Sequence, residues 1–178
     1  RRQLAEWNRM ELHKILLVDD HPLFRRGVKE ILVGDFPSIQ IGECASANEM
    51  LEVVDTDVWD LVIMDISMPG LSGPESLRLL KARHPEVPVL VMSMHPEDQY
   101  AVRMFKAGAD GYLTKASATD ELIQAIKKVC QGGQYVSPSV GETLALNVKC
   151  ATSERLAHER LSDREYQVMC LIASGQTV

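Results

Sequence analysis

The sequence of 178 residues lacks any long hydrophobic run. No apolar stretch approaches the roughly 18 to 20 residues that a helix needs to cross a bilayer. The first residues, among them Arg1, Arg2 and Glu6, carry charges but no apolar centre, so they do not have the form of a signal peptide. We therefore predict a cytoplasmic protein that has no membrane partner.

Cysteines are few and lie far apart along the chain. No two of them stand in a C-x-x-C arrangement, so the usual zinc-site spacing is absent and a disulfide framework is not expected. We interpret them as reduced thiols scattered through the fold. They are Cys44, Cys130, Cys150 and Cys170.

An excess of basic residues is also missing. The 19 lysines and arginines are outnumbered by 25 aspartates and glutamates, which gives a net charge of −6. No overall positive field therefore attracts nucleic acid or anionic lipid, although a local basic surface is still compatible with this balance. The hydrophobic content of 46% with 25% charged residues is sufficient for a buried core, which excludes a disordered chain.

Short apolar runs alternate with stretches of helical period. The runs are four to six residues long or slightly shorter, and several are apolar throughout, which is typical of strands covered on both faces. Alternation of this kind predicts an open parallel α/β sheet with right-handed crossovers. The predicted strands cover residues 15–18, 39–44, 61–64, 87–92 and 111–113.

The predicted helices have recognisable ends. Pro22 suits a first helical turn, and the patterns Ser46-x-x-Glu49 and Ser72-x-x-Glu75 have the form of capping boxes. Three glycines are expected to mark helix ends. They are Gly34, Gly108 and Gly132.

The pattern changes after Gly132. We predict an extension over residues 1–12, the α/β domain over 13–131, a linker over 132–160, and a helix over 161–178 capped by Ser162 and Glu165. A single amphipathic helix cannot bury its own apolar face, so this last segment is expected to be the start of a second, all-α domain that is cut short.

Polar side chains follow four of the predicted strands at their carboxyl ends, where ligands bind in open parallel sheets. Three carboxylates placed together repel one another unless a cation is present, and oxygen ligands suit magnesium. A lysine and a hydroxyl beside them would complete an electrostatic cradle for a phosphoryl group, with one aspartate as the nucleophile. The residues are Asp19, Asp20, Asp65, Ser93 and Lys115.

Each of these residues also has a simpler interpretation. Asp19 or Asp20 could be a helix N-cap before Pro22, and Lys115 could be an ordinary surface lysine. The N-cap explanation accounts for one aspartate and not for two. His21, His84 and His95 stand in separate loops and are not expected to form a metal site.

These positions resemble the signature of response-regulator receiver domains. The resemblance rests on Asp19-Asp20, on Asp65 followed by Ile66-Ser67-Met68-Pro69-Gly70, on Ser93, and on Gly111-Tyr112-Leu113-Thr114-Lys115. It covers about residues 13 to 131. Residues 161–175 resemble the opening of a LuxR-type helix-turn-helix domain, and the two parts together resemble the NarL/FixJ family. The resemblance implies a five-stranded, doubly wound, flavodoxin-like sheet in the order 2-1-3-4-5.

The resemblance also implies a phosphoryl-transfer site. Asp65 would accept a phosphoryl group from a sensor histidine kinase. Asp20, Asp65 and the backbone carbonyl of Ser67 would bind Mg²⁺, while Asp19 would act largely through water. Lys115 would pair with the phosphoryl group. Such a protein is not an enzyme, because it catalyses only its own phosphorylation and dephosphorylation.

Further implied roles concern switching and the lifetime of the phosphoryl group. Ser93 would move to hydrogen-bond that group, and Tyr112 would turn inward behind Ser93. His95 would face the phosphate. Ala116 stands where many receivers have a proline after the lysine, so the geometry of that peptide bond stays open.

The implied function is phosphorylation-dependent control of transcription. Phosphorylation would favour homodimerisation and release a C-terminal domain that binds promoter DNA. Residues 151–178 carry three arginines against four acidic residues, 3 − 4 = −1, so this chain as written is not expected to read DNA itself. A stand-alone phosphorelay receiver is the alternative. An aspartyl-phosphate phosphohydrolase is less favoured, because Ser67 stands where such enzymes need a second aspartate.

Overall fold

The structure, a computed structural model, describes residues 12–94 and 97–136, together with the single residues 161, 165, 168, 169 and 172. Predictions made for residues 1–11, His95, the segment 137–160 and most of 161–178 fall outside these residues. Within the described part, no helix combines the length and the apolar character needed to span a bilayer.

Five parallel strands form one sheet in the order β2-β1-β3-β4-β5. This confirms both the predicted parallel α/β architecture and the strand order that the resemblance implied. The strands are β1 (Lys14–Val18), β2 (Gln40–Cys44), β3 (Leu61–Asp65), β4 (Val89–Ser93) and β5 (Gly111–Thr114).

A helix follows each strand, and the helices cover both faces of the sheet. Successive residues of β1 point to opposite faces: Leu16 and Val18 join the core under α2, α3 and α4, while Ile15 and Leu17 join the core under α1 and α5. The helices are α1 (Pro22–Asp35), α2 (Ala47–Val53), α3 (Gly73–Arg83), α4 (Glu97–Ala107) and α5 (Ala118–Cys130).

The register of the strands aligns their carboxyl ends. Val18 pairs with Met64, so the residues that follow them, Asp19 and Asp65, become neighbours across the sheet. At the other side of β3, Ser93 of β4 pairs with Thr114 of β5, one residue before Lys115. Side chains that are up to about a hundred residues apart in sequence are therefore brought to one edge.

Some predicted boundaries differ from the observed ones. The fourth strand begins at Val89 and not at Val87, because the Val87 N–H donates to the His84 carbonyl in a turn. The prediction that Gly34 ends a helix was wrong: α1 continues to Asp35, and the Phe36 N–H donates to the Leu32 carbonyl at 2.8 Å.

The other helix signals within residues 12–136 agree with the structure. The Ser46 hydroxyl accepts the Glu49 N–H, and the Ser72 hydroxyl accepts the Glu75 N–H, which is the N-cap half of a capping box. The Glu49 carboxylate accepts the Ala45 N–H at 2.6 Å. The two remaining glycines follow α4 and α5 with φ of 108° and 77°, a conformation that side chains rarely adopt. They are Gly108 and Gly132.

Contacts of the sheet continue past α5. Tyr135 forms a single bridge to the outer side of β5: its N–H donates to the Asp110 carbonyl at 2.9 Å, and its own carbonyl accepts the Tyr112 N–H at 3.2 Å. The Tyr135 hydroxyl donates to Glu121 of α5 at 2.7 Å. The start of the segment predicted as a linker is therefore attached to the edge strand.

One described residue of the predicted second domain also contacts this core. The Leu161 carbonyl accepts a hydrogen bond from Arg103 of α4 at 3.3 Å, and its side chain packs against the apolar cluster under α4. Of the cysteines, Cys44 and Cys130 are free thiols, and burial raises the pKa of Cys44 to about 12 and that of Cys130 to about 11. Both therefore stay protonated at neutral pH.

Candidate functional site

Three aspartates meet at the carboxyl edge of the sheet. Asp19 and Asp20 follow β1, and Asp65 is the last residue of β3. One ligand atom from each, together with one from His21, lie within 4.8 Å of one another. The side chains of Asp19 and Asp65 are almost fully buried, whereas 27% of the Asp20 side chain is exposed and can reach solvent.

Lys115 supplies the positive charge of this cluster. Its Nζ atom lies 2.6 Å from Asp19 Oδ2 and 2.6 Å from Asp65 Oδ2, and only 5% of its side chain is exposed. The backbone holds it there, because the Lys115 N–H donates to the Ser93 carbonyl at 2.7 Å. A single ammonium therefore bridges two buried carboxylates.

Two backbone N–H groups orient these two carboxylates in the same way. The His21 N–H donates to Asp19 Oδ1 at 2.7 Å, and the Ser67 N–H donates to Asp65 Oδ1 at 2.8 Å. In both cases the donor lies two residues after the aspartate, as in an Asx turn. One oxygen of each carboxylate is thus held by its own loop, and the other faces the shared ammonium.

The donor set fits a divalent cation. Three carboxylates face one ammonium, which leaves an excess of negative charge at a partly buried edge. Asp19 Oδ2 and Asp20 Oδ1 are buried without an aligned hydrogen-bond donor, although Lys115 Nζ and His21 Nδ1 lie 2.6 and 2.8 Å from them. Carboxylate oxygens with access to solvent are the ligands that Mg²⁺ prefers.

His21 was set aside in the sequence because it stands in a loop. The structure places its Nδ1 atom 2.8 Å from Asp20 Oδ1 and 3.2 Å from Asp19 Oδ1, so it belongs to the cluster geometrically. His84 lies elsewhere and contacts Asp55 at 2.7 Å.

The two predicted switch residues lie on the neighbouring strands β4 and β5. Ser93, at the end of β4, and Tyr112, in the middle of β5, are both fully buried. The Tyr112 side chain belongs to the core under α2, α3 and α4, and its N–H donates to the Tyr135 carbonyl at 3.2 Å. The described residues contain no cis peptide bond, so the bond between Lys115 and Ala116 is trans.

Sequence reasoning missed two neighbours of the cluster. The centroid of the Phe24 ring lies 4.5 Å from Lys115 Nζ. Arg25 donates to the Asp19 carbonyl and also contacts Glu43 of β2 at 3.3 Å. Helical periodicity could identify Phe24 only as part of an apolar face, since its contact with a lysine 91 residues later leaves no local signal.

The arrangement is suited to phosphoryl transfer. Asp65 is a carboxylate held in one orientation next to a fixed ammonium, and such a group can attack phosphorus to give an acyl phosphate. An ammonium fixed beside this carboxylate can stabilise negative charge that develops during such a transfer with little reorganisation.

The chain is similar in sequence to known proteins. The family model described as "Response regulator receiver domain" matches residues 15–127. The chain is 35% identical over 166 residues to the response regulator GacA of Pseudomonas aeruginosa, covering 93% of this chain and 77% of GacA. It is 34% identical over 165 residues to the response regulator UvrY of Escherichia coli K12, covering 92% and 75% of the two chains.

Solved structures are similar as well. A LuxR-family two-component response regulator from Aurantimonas superimposes with a TM-score of 0.69 at 34% identity, covering 76% of this chain and 97% of that one. RcsB of Salmonella enterica serovar Typhimurium, bound to the promoter P1flhDC in the presence of a phosphomimetic, has a TM-score of 0.69 at 21% identity. This superposition covers 93% of this chain and 78% of the RcsB chain. At 21% identity it is evidence for the fold alone.

Proposed function

The chain belongs to the response regulators of two-component systems, with a receiver domain of the NarL/FixJ type, and from this premise we propose that it is a phosphorylation-switched regulator of transcription. The observation that carries the proposal is the Lys115 ammonium held 2.6 Å from both Asp19 and Asp65. This contact supports the proposal, because a fixed ammonium beside an oriented carboxylate is suited to nucleophilic attack on phosphorus.

The reaction that we propose is the transfer of a phosphoryl group from a phosphohistidine of a sensor histidine kinase. An oxygen of Asp65 forms a bond to phosphorus, the P–N bond breaks, and the released imidazole takes up a proton. The Ser67 N–H keeps the carboxylate oriented during the attack. Mg²⁺ held by Asp20, Asp65 and the Ser67 carbonyl would neutralise charge on the transferring group.

The output step would begin at Ser93 and Tyr112. A phosphoryl group on Asp65 offers an acceptor to the Ser93 hydroxyl and favours the packing in which Tyr112 is buried, which biases an existing equilibrium between two conformations. The Tyr112 N–H donates to the Tyr135 carbonyl, so the segment after α5 is connected to β5, the strand that contains Tyr112. We propose that this change promotes homodimerisation and the binding of promoter DNA through a C-terminal domain.

The hydrolysis of external substrates is a weaker alternative. Phosphohydrolases that use an aspartyl phosphate need a general acid two residues after the nucleophile, and this position is Ser67. The N–H of Ser67 holds Asp65, but its hydroxyl is no acid at neutral pH. We therefore favour a regulatory role over enzymatic turnover.

The proposal is tested by intact-protein mass spectrometry after incubation with acetyl phosphate and Mg²⁺. We expect one added phosphoryl group on the wild-type chain, and none on Asp65→Asn or when the metal is chelated. Asp35→Asn, which removes an exposed carboxylate at the end of α1, is the matched control and should still be modified. An adduct that persists in Asp65→Asn, or the absence of both an adduct and beryllofluoride binding in the wild type, would refute the proposal.

A further inference from the structure

We propose that Phe24 is a positioning residue for phosphoryl transfer, because its ring fixes the Lys115 ammonium between Asp19 and Asp65. This inference rests on the proposed function, in which Asp65 accepts the phosphoryl group. It adds Phe24, an uncharged residue, to the site and gives it the role of holding the Lys115 ammonium.

The geometry is that of a cation–π contact. The ring centroid of Phe24 lies 4.5 Å from Lys115 Nζ, well inside the distance of about 6 Å at which a ring attracts an ammonium. Carboxylates account for two further sides of the same ammonium, at 2.6 Å each. An ammonium has three N–H donors and no acceptor, so a ring can lie against it without competing for a carboxylate oxygen.

The ring is itself held in place. Phe24 lies in the first turn of α1, which begins at Pro22, and proline there restricts the backbone to helical φ. Arg25, the next residue, donates to the Asp19 carbonyl and so ties this turn to the end of β1. The position of the ring is therefore set by the same strand end that supplies Asp19.

Lysine needs such a constraint more than arginine would. Its ammonium is a point charge at the end of a flexible four-carbon stem, with no planar fork to fix its direction. Asp20 offers a third, more exposed carboxylate to which the ammonium could turn. The Phe24 ring covers one side of the ammonium and favours the orientation that bridges Asp19 and Asp65.

We expect Phe24→Leu to lower the rate constant of phosphorylation by saturating acetyl phosphate roughly three- to thirty-fold, the factor that a partly desolvated cation–π contact implies. The donor concentration at half-maximal rate should change less, because the ring does not contact the donor. Phe24→Tyr keeps the aromatic face and should retain most of the rate.

Two comparisons separate positioning from a general structural effect. Leu23→Ala changes the neighbouring residue of the same helical turn, whose surface is 84% exposed, and should leave the rate unchanged. In a Lys115→Met background, Phe24→Leu should cause no further loss of residual phosphorylation or of beryllofluoride affinity. Rates are compared only among variants whose melting curves show that they are folded, and Phe24→Met replaces Phe24→Leu if the latter is not.

A direct readout is the NMR signal of the Lys115 side-chain ammonium in ¹⁵N-labelled protein. We expect a resolved, slowly exchanging signal in the wild type and in Phe24→Tyr, and a broadened or absent signal in Phe24→Leu. Equal rates for wild type and Phe24→Leu, equal losses in Phe24→Leu and Phe24→Tyr, or an undiminished effect in the Lys115→Met background would each overturn the inference. If the wild type takes up no phosphoryl group, the proposed function fails, and the ammonium signal still decides whether Phe24 holds Lys115.

Discussion

Aspartates are concentrated at both edges of the sheet, but their charges are balanced in different ways. At the carboxyl edge, Asp19 and Asp65 share the single ammonium of Lys115, and Asp20 adds a third negative charge. At the amino edge each aspartate has partners of its own. These aspartates are Asp55, Asp57, Asp60 and Asp110.

The amino edge uses its carboxylates to close the ends of the sheet. Asp60 accepts the N–H groups of His13 and Lys14 at 2.7 and 2.8 Å, at the start of β1. Asp110 accepts the Val89 N–H and the Lys81 ammonium, both at 2.8 Å, at the start of β4. These contacts satisfy backbone donors that no neighbouring strand reaches, so they stabilise the fold.

The amino edge therefore contributes to the stability of the fold, whereas the carboxyl edge is suited to binding a ligand. At the amino edge Asp55, Asp57 and Asp110 each have a basic side chain of their own, which leaves little excess negative charge for a cation to bind. Carboxylates that share one cation remain ready for another cation, at the expense of mutual repulsion. On this view the carboxyl edge keeps an excess of negative charge that a divalent cation such as Mg²⁺ would balance.

The largest effect is expected when the shared charge is removed. Lys115→Met leaves three carboxylates without an ammonium, and the free energy of unfolding should fall by about 3 kcal/mol, the lower end of the cost of breaking a buried ion pair, because Asp20 still reaches solvent. Urea denaturation in the absence of metal measures this change. Adding Mg²⁺ should recover part of the loss through selective binding to the folded state. An unchanged midpoint in metal-free buffer would show that the carboxylates do not repel as their positions suggest.

A smaller effect is expected at the amino edge. Asp110→Ala leaves the Val89 N–H without its carboxylate acceptor and Lys81 without its ion pair, which should cost about 1–3 kcal/mol. Asp110→Asn retains an oxygen for the Val89 N–H and loses only the charge, so it should recover most of that cost. Urea denaturation of both variants checks this, and Mg²⁺ should not alter the difference between them. Equal losses in the two variants would mean that the ion pair with Lys81 dominates.

The sequence predicted the side-chain cluster at the carboxyl edge but not the contacts at the amino edge. Asp19, Asp65 and Lys115 could be assembled because each follows an apolar strand, and parallel strands share a carboxyl edge. The partners of Asp60 and Asp110 could not be predicted, since they lie 46 and 21 residues away and involve backbone N–H groups that any residue has. Tyr135 was missed because a bridge of one residue has no periodicity. Roles assigned to Ser93, Tyr112 and the Ser67 carbonyl stay predictions, because burial and position are compatible with them without testing them.

The smallest effect concerns Asp55, which joins the loop after α2 to the end of α3. A hydrogen bond from His84, with the charge of Arg83, holds the pKa of Asp55 below its ordinary value of 3.8. A carboxyl whose pKa is lower in the folded state stabilises the fold above pH 3.8, and this contribution is lost as the pH falls through the folded value. The stability difference between wild type and Asp55→Asn, measured by urea denaturation, should therefore shrink as the pH falls below about 4. The stability difference should also decrease in high salt, because Asp55 and its basic partners are exposed to solvent.

A stability difference that stays constant down to pH 3 would contradict this account of the amino edge, since it would show that Asp55 acts there without its charge.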